Sequence, residues 1–239
     1  MHILILQHAR VETAGSLGKF LKEDGHTFQV VHLDEGEQIP QTNNFDGLWV
    51  LGGPMDVWEE EKFPWLKQEK EYIKSQVQEQ GIPFLGICLG HQLLAECLGG
   101  KVSKSQKPEV GILDVSLTES GGSGVFFDGI PETFKTLQWH SAEVTDLPPG
   151  SRVLAWSKSC GIQALQWETR AFSVQFHLEI EDKTVLNWSN IPEYKSSLEK
   201  EMGENGFEKM QKDCLNNITA MKEKAERLYI NWMQATAKT

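Results

Sequence analysis

Short apolar runs alternate with amphipathic segments through the first hundred residues of the chain. Runs rich in Val, Ile and Leu predict buried strands, and apolar residues three and four apart predict helices between them. The predicted strands cover residues 2–6, 27–33, 48–51 and 83–87. The predicted helices cover residues 13–22, 64–80 and 90–98. This alternation favours an α/β fold, with a mostly parallel, flavodoxin-like central sheet and helices on both faces.

The second half of the chain has a different pattern, with short strands joined by short loops. These strands are predicted at residues 110–117, 135–139, 152–156, 161–167 and 171–176. Residues 168–170 are typical of a hairpin turn, and a short helix is expected at 182–188. We therefore expect a small antiparallel part that extends the parallel sheet within the same domain.

The chain becomes polar and charged after Ser189, and Pro192 interrupts the pattern. Apolar residues then recur at steps of three and four: Phe207, Met210, Cys214, Ile218, Met221, Ala225, Leu228 and Trp232. This stripe predicts a C-terminal helix. We expect a domain at residues 1–190 and a helical extension at 191–239 packed on it. The stripe also fits a docking surface for a second copy of the chain or another partner.

Composition narrows the class of protein. The 239 residues are 39% apolar, which is enough to form a core. Their net charge of -11 disfavours nucleic acid or a membrane surface as partner. No apolar stretch reaches spanning length, and the opening residues are expected to form a strand and not a signal peptide. The cysteine usage fits a reducing cytoplasm. The four cysteines form no CxxC pair, so neither a metal site nor disulfides are expected. All but Cys88 are expected to be inert core residues: Cys97, Cys160 and Cys214.

The most informative segment is GICLGHQ, where a predicted strand runs through Gly86 into Cys88 and a helix starts at Gly90. Gly-x-Cys-x-Gly at a strand-to-helix turn has the form of a nucleophile elbow. The nucleophile occupies a sharp, strained turn there, and the glycines let neighbouring backbone approach closely. The N-terminus of the helix stabilises a thiolate and directs N–H groups toward an incoming carbonyl oxygen. This context predicts that Cys88 is a nucleophile.

A cysteine nucleophile needs a base, and VQFHLE offers His177 and Glu179 after the last predicted strand. Residues two apart on an extended segment point to the same side. An HxE pair alone fits a solvated loop equally well. Its position after a buried strand, together with the lack of a base near Cys88, favours a catalytic role.

GICLGHQ and VQFHLE together resemble the class I, triad-type glutamine amidotransferases, and the likeness covers roughly residues 1–190. Stand-alone members similar to the amidotransferase domain of GMP synthase are the nearest match. The order of Cys88, His177 and Glu179 is the order of the family's triad. The chain departs from the family at Leu178, where a proline is usual.

The resemblance implies roles for further residues. Gly52-Gly53-Pro54 resembles the family's oxyanion loop, so the N–H groups of Gly53 and Leu89 are expected to form the oxyanion hole. Four residues are expected to contact the substrate: Gly52, Gln92, Ser141 and Ala142. His8 and Glu12 follow the first strand, and we expect them to lie in a solvated loop. A role in binding substrate or a partner is the alternative.

The implied reaction is hydrolysis of the side-chain amide of glutamine through a γ-glutamyl thioester on Cys88, with no cofactor. Ammonia would pass to a separate synthetase subunit, because the chain has no P-loop motif for nucleotide-driven amination. A γ-glutamyl hydrolase or peptidase that works alone is equally allowed, as is a homodimer. Two further alternatives are a cysteine peptidase of a related fold and a non-catalytic binding module.

Overall fold

The computed structural model describes residues 1–41 and 44–237. Within these ranges, nine strands form a single sheet of order β2-β1-β3-β4-β9-β8-β7-β5-β6. The strands are β1 (His2–Gln7), β2 (Thr27–His32), β3 (Gly47–Val50), β4 (Phe84–Ile87), β5 (Lys101–Leu117), β6 (Thr133–Asp146), β7 (Ser151–Trp156), β8 (Ala164–Trp167) and β9 (Ala171–Val174). Neighbours from β2 to β9 in that order pair in parallel, and those from β9 to β6 pair antiparallel.

Helices cover both faces of this sheet. They are α1 (Gly15–Glu23), α2 (Trp65–Lys74), α3 (Leu89–Cys97), α4 (Glu119–Gly122), α5 (Thr184–Trp188), α6 (Pro192–Met202) and α7 (Gly206–Thr236). Alternation along β1 divides the core, because Ile3 and Ile5 pack on the α1 and α7 side. Leu4 and Leu6 pack on the α2 and α3 side. The predicted α/β architecture is therefore confirmed.

The antiparallel part has longer strands than the apolar pattern predicted. β6 continues to Asp146 on an alternation in which His140, Ala142 and Val144 are buried. β5 begins at Lys101, because its polar and largely exposed first residues pair with this part of β6. Apolar periodicity cannot detect a strand whose two faces are both exposed. The hairpin predicted at 168–170 is present, with Trp167 opposite Ala171.

The C-terminal region adds α6, which the sequence pattern did not predict. Pro192 opens this helix, because a proline at the first helical position lacks only an N–H that the helix does not use. In α7 most of the apolar stripe is buried in the protein, and Trp232 meets Trp49 edge to face at 5.5 Å. The stripe is thus internal packing. The division of the chain into a domain and an extension at residue 190 stays a prediction. The last two residues of the predicted extension, Lys238 and Thr239, lie outside the described part.

The carboxyl ends of four parallel strands meet at one edge of the sheet. The pairing of β1 with β3 ends with Leu6 opposite Val50, and that of β4 with β9 ends with Ile87 opposite Val174. Loops that follow these strands therefore converge, which is where α/β sheets usually hold their sites. Among the described residues, no helix is both long and apolar enough to cross a membrane.

Candidate active site

Cys88 lies on a strained turn between β4 and α3. Its backbone has φ +52° and ψ -102°, a conformation that side chains other than glycine rarely adopt. A Cβ on Gly90 would lie 2.0 Å from the carbonyl oxygen of Val50, and one on Gly86 would lie 2.6 Å from that of Gly90. The backbone N–H of Cys88 donates to the Val174 carbonyl at 2.8 Å. The strands thus hold the turn in place, and only glycines fit beside it.

The imidazole of His177 is buried between the Cys88 thiol and the carboxylate of Glu179. Its Nδ1 donates to Oε1 of Glu179 at 2.6 Å, and the thiol of Cys88 is close enough to the ring to affect its pKa. Burial alone would lower the pKa of His177, but the adjacent Glu179 and Cys88 raise it well above its usual value. The structure therefore brings together the three residues predicted to form a triad.

The family departure at Leu178 has a structural consequence. The backbone N–H of Leu178 donates to Oε2 of Glu179 at 3.0 Å. A proline, which the family usually has here, lacks this donor. The carboxylate of Glu179 is thus held on one oxygen by the imidazole and on the other by the backbone.

Gly53 and Leu89 line the same cleft as Cys88. Leu89 is the first residue of α3, so its N–H has no acceptor within the helix. A Cβ on Gly52 would lie 2.8 Å from Oε2 of Glu12, and one on Gly53 would lie 2.9 Å from Cβ of His8. The geometry is compatible with the predicted oxyanion hole, whose assignment stays a prediction.

An amide network lies beside the thiol. Nε2 of Gln92 donates to the carbonyl of Ala142 at 3.2 Å and to Oε1 of Gln175 at 3.0 Å. Nε2 of Gln175 in turn donates to Sγ of Cys88 at 3.6 Å. Sequence reasoning missed Gln175, although residues 175, 177 and 179 have the spacing of one strand face.

The predicted substrate-contacting residues Gln92, Ser141 and Ala142 all line the cleft. Ser141 and Ala142 belong to the strand β6. The pairing of β5 with β6 shifts register at this point, between Lys104 and Glu109.

The cleft is open to solvent and holds a cavity of about 100 Å³. One wall comes from α6, through Glu193, Tyr194 and Ser197. The C-terminal region therefore contributes directly to the candidate site, which sequence periodicity could not indicate.

Glu12 is buried in the site, so the expectation of a solvated loop for it was wrong. One of its oxygens accepts a hydrogen bond from the hydroxyl of Tyr194. Burial raises the pKa of Glu12 to about 7, against the opposing effects of His177 and Tyr194. Glu12, His177 and Glu179 each place a donor atom within 4.8 Å of the others. One oxygen of Glu12 already accepts from Tyr194, and one oxygen of Glu179 accepts from Nδ1 of His177.

His8 is also buried and not solvated. Its two ring nitrogens contact the carbonyl oxygen of Gly52 and the carboxylate of Glu69. Burial would lower the pKa of His8, but Glu69 and the Gly52 carbonyl raise it. The loop after β1 thus supports the glycine loop after β3.

Aromatic side chains enclose the histidine. The ring of Trp188 on α5 meets His177 edge to face at 4.7 Å, and Trp139 and Tyr194 pack against Trp188. Nε1 of Trp139 donates to Oγ of Ser197 at 2.7 Å. This cluster limits the orientation of His177 and excludes water from one side of its ring.

The other cysteines differ from Cys88 in their surroundings. Cys160 and Cys214 are buried and Cys97 is half-buried. Burial raises the pKa of the Cys97 and Cys160 thiols, and that of Cys214 to about 11. Near neutral pH these three thiols are therefore poor nucleophiles.

Comparison with known proteins adds independent information. Residues 14–185 match the family model of class I glutamine amidotransferases. The chain is 34% identical over 153 residues to a subunit of the glutamine-hydrolysing GMP synthase of Sulfolobus acidocaldarius, covering 64% of the chain and 77% of that protein. The corresponding protein of Pyrococcus abyssi is 39% identical over 111 residues, covering 46% of the chain and 57% of that protein.

The fold is also similar to a solved structure. A crystal structure of a glutamine amidotransferase from Thermotoga maritima superposes with a TM-score of 0.86 and 27% identity. The superposition covers 100% of this chain and 99% of the other, so it includes the C-terminal helices.

Proposed function

The chain belongs to the class I glutamine amidotransferases, and from this we propose that it hydrolyses the side-chain amide of glutamine through a thioester on Cys88. The observation that carries the proposal is the arrangement of three buried groups. Cys88 stands on a strained elbow beside His177, whose other side is bound to Glu179 at 2.6 Å.

In the first half of the proposed reaction, His177 takes the proton of Cys88 and the thiolate attacks the amide carbon. Glu179 fixes the imidazole and stabilises its charged form. The N–H groups of Gly53 and Leu89 bind the oxyanion, and each such donor is typically worth about 100- to 1000-fold in rate. His177 then protonates the departing ammonia, which leaves the γ-glutamyl group on Cys88.

In the second half, His177 removes a proton from water, which attacks the thioester carbonyl. The same two N–H groups bind the second oxyanion. Collapse of that intermediate breaks the carbon–sulfur bond, releases glutamate, and returns the proton from His177 to Cys88. All proton transfers use side chains that are already in place.

We further propose that the ammonia passes to a separate synthetase subunit. The support is the similarity to proteins named as one subunit of a GMP synthase, which by that name are parts of a larger enzyme. A γ-glutamyl hydrolase or peptidase that works alone is the alternative outcome of the test.

The test is a screen of glutamine, γ-glutamyl amides and γ-glutamyl peptides for release of ammonia, amine and glutamate. We expect glutamine to yield ammonia and glutamate in equal amounts, with Cys88→Ala inactive and folded. Cys97→Ala, at the end of the helix that follows Cys88, is the matched control and should keep its activity. Release of amines from γ-glutamyl peptides without glutamine turnover would favour the alternative, and an active Cys88→Ala would refute the proposal.

A further inference from the structure

A buried His–Glu pair lies directly behind the glycine loop of the candidate oxyanion hole. Nδ1 of His8 is 2.9 Å from the carbonyl oxygen of Gly52, and Nε2 is 2.8 Å from Oε1 of Glu69. The side chains of His8 and Glu69 are both 0% exposed. The indole of Trp65 stacks on the imidazole with centroids 5.6 Å apart. Neither residue of the pair lines the cleft, so the proposed reaction gives it no direct part.

The partners of His8 determine where its proton lies. A carbonyl oxygen can only accept a hydrogen bond, so Nδ1 of His8 must carry a proton and donate it to Gly52. Nε2 faces a carboxylate and is bound to it whichever of the two groups holds the shared proton. Glu69 therefore keeps His8 in the form that can donate to Gly52.

The hydrogen bond to the Gly52 carbonyl also fixes the direction of the Gly53 N–H. The carbonyl of Gly52 and the N–H of Gly53 belong to one peptide bond, which is planar and trans, and no described peptide bond is cis. In a trans peptide these two groups point in opposite directions. Because His8 holds the carbonyl on the buried side, the N–H of Gly53 is directed to the opposite side.

This peptide needs an external anchor, because both of its residues are glycines. Without side chains, Gly52 and Gly53 have more accessible backbone conformations than other residues. An oxyanion hole works only if its donors are oriented before the charge develops. A hydrogen bond from a buried, stacked imidazole supplies that orientation in advance.

We propose that His8 and Glu69 are positioning residues that hold the Gly52–Gly53 peptide with the Gly53 N–H facing the oxyanion of the tetrahedral intermediate. The inference deepens the proposed function and rests on it for the identity of the oxyanion.

Two isosteric substitutions separate the two hydrogen bonds of His8. The amide nitrogen of His8→Asn reaches as far from the backbone as Nδ1, so it can still donate to Gly52 while losing Glu69. The amide of His8→Gln reaches as far as Nε2, so it keeps a partner in Glu69 and loses Gly52. We expect kcat for glutamine to fall about 100-fold in His8→Gln with KM nearly unchanged, and less than about tenfold in His8→Asn.

The rate at which iodoacetamide alkylates Cys88 separates loss of the oxyanion hole from general damage to the site. This displacement at carbon forms no oxyanion, so it reports only on the thiolate and its base. We expect equal alkylation rates in wild type, His8→Asn and His8→Gln. A parallel loss of alkylation and turnover would show general damage to the site and overturn the inference.

Glu69 offers a second pair of variants that does not alter the ring. Glu69→Gln can donate to Nε2 and so keep the proton on Nδ1, and we expect kcat within about tenfold of wild type. Glu69→Ala removes the anchor, and we expect kcat to fall more than about tenfold with alkylation unchanged. Equal kcat in both variants and wild type would refute the role of Glu69.

Crystal structures of His8→Asn and His8→Gln test the inference without any activity. The Gly52–Gly53 peptide should keep its orientation in the first variant and rotate in the second. An unrotated peptide in His8→Gln would overturn the inference even if the protein hydrolyses glutamine. A wild-type protein that releases no ammonia from glutamine would instead refute the proposed function, and the peptide orientation would still decide the role of His8.

Discussion

The candidate site depends on a few side chains that their neighbours shield from water. His177 is flanked by Glu179, Cys88 and the ring of Trp188. The Glu179 carboxylate accepts from both the imidazole and the N–H of Leu178. These contacts orient the imidazole and stabilise its charged form, which is the state that an ion pair with a thiolate requires.

Substitution of the base and of its orienting carboxylate should have unequal effects. His177→Ala removes proton transfer itself, and we expect kcat to fall by roughly 1000-fold or more. Glu179→Ala leaves a base in place with a freer orientation, and we expect a fall of about 100-fold. Steady-state kinetics at saturating glutamine measure both. A loss at Glu179 equal to or larger than that at His177 would contradict the orienting role.

Glu12 should make the stability of the fold depend on pH. Its pKa is raised from 4.5 to about 7, chiefly by burial, while His177, Tyr194 and His8 lower it and Glu179 raises it. The folded state therefore holds a proton that the unfolded state has lost, and stability falls as pH rises from about 4.5 to about 7. The shift corresponds to about 3 kcal/mol.

Denaturation of wild type and Glu12→Gln at about pH 5 and about pH 8 measures this effect. Glutamine at position 12 can still accept from Tyr194 but does not titrate. We expect the variant to gain about 2 to 3 kcal/mol relative to wild type between the two pH values. A constant difference across that range would show that Glu12 is ionised in the fold at both.

The sequence identified the residues that follow local rules and missed those that depend on distant contacts. Cys88 stands in a motif of a few residues, and His177 and Glu179 share one extended segment. Glu12 gains its environment from Tyr194, which is 182 positions away, and no periodicity links the two. Burial of a polar residue by a remote helix is a property of the packed fold.

At the scale of elements, α3 can approach β3 closely because Gly90 has no side chain. The N–H of Gly90 donates to the carbonyl of Leu51 at 3.2 Å, so the first turn of α3 lies directly against the end of β3. This contact brings the elbow next to the glycine loop that follows β3. This helix–strand contact therefore sets the nucleophile and the oxyanion loop next to each other.

Gly90→Ala should disrupt this contact. The added Cβ would lie 2.0 Å from the backbone oxygen of Val50, and backbone cannot yield as a flexible side chain can. We expect a loss of about 2 kcal/mol or more in the free energy of unfolding, together with lower kcat. Gly161→Ala is the control, because its Cβ would meet no atom within 4 Å, and it should change stability by less than about 0.5 kcal/mol. Equal losses of stability in Gly90→Ala and Gly161→Ala would contradict the role of the contact between α3 and β3.

Strand boundaries were predictable where a strand is buried on both faces, because it then forms a continuous apolar run. The short strands of the parallel part follow the apolar runs closely, as in β1 and β4. The extra length of β5 comes from pairing with β6 along exposed residues, and α6 begins at a proline that the pattern treated as an interruption. Both depend on tertiary pairing and not on local hydrophobicity.

At the scale of the whole molecule, the C-terminal helices are part of the same packed structure as the sheet. Nε1 of Trp232 on α7 donates to the carbonyl of Phe84 in β4 at 3.0 Å. α6 supplies a wall of the cleft, although the family-model match ends at residue 185. We propose that the helices α6 and α7 stabilise the sheet and shape the substrate site. A homodimer stays a prediction for this chain.

Removal of a core side chain from α7 tests that proposal. Trp232 is fully buried, and Trp232→Ala should lower the free energy of unfolding by about 3–5 kcal/mol while kcat of the folded protein stays within about twofold. Leu215→Ala on the exposed face of the same helix is the control, since Leu215 is 48% exposed. Loss of stability of the same size in both variants, or in neither, would contradict internal packing by the stripe.

The most direct test of the central claim is covalent labelling by a chloroketone analogue of glutamine, read by mass spectrometry of the digested protein. We expect one equivalent of label on Cys88, slowed by glutamine and absent from Cys88→Ala, because the remaining described cysteines have thiols whose pKa is raised by burial. Labelling of Cys97, Cys160 or Cys214 in place of Cys88, or labelling that glutamine does not slow, would contradict the account.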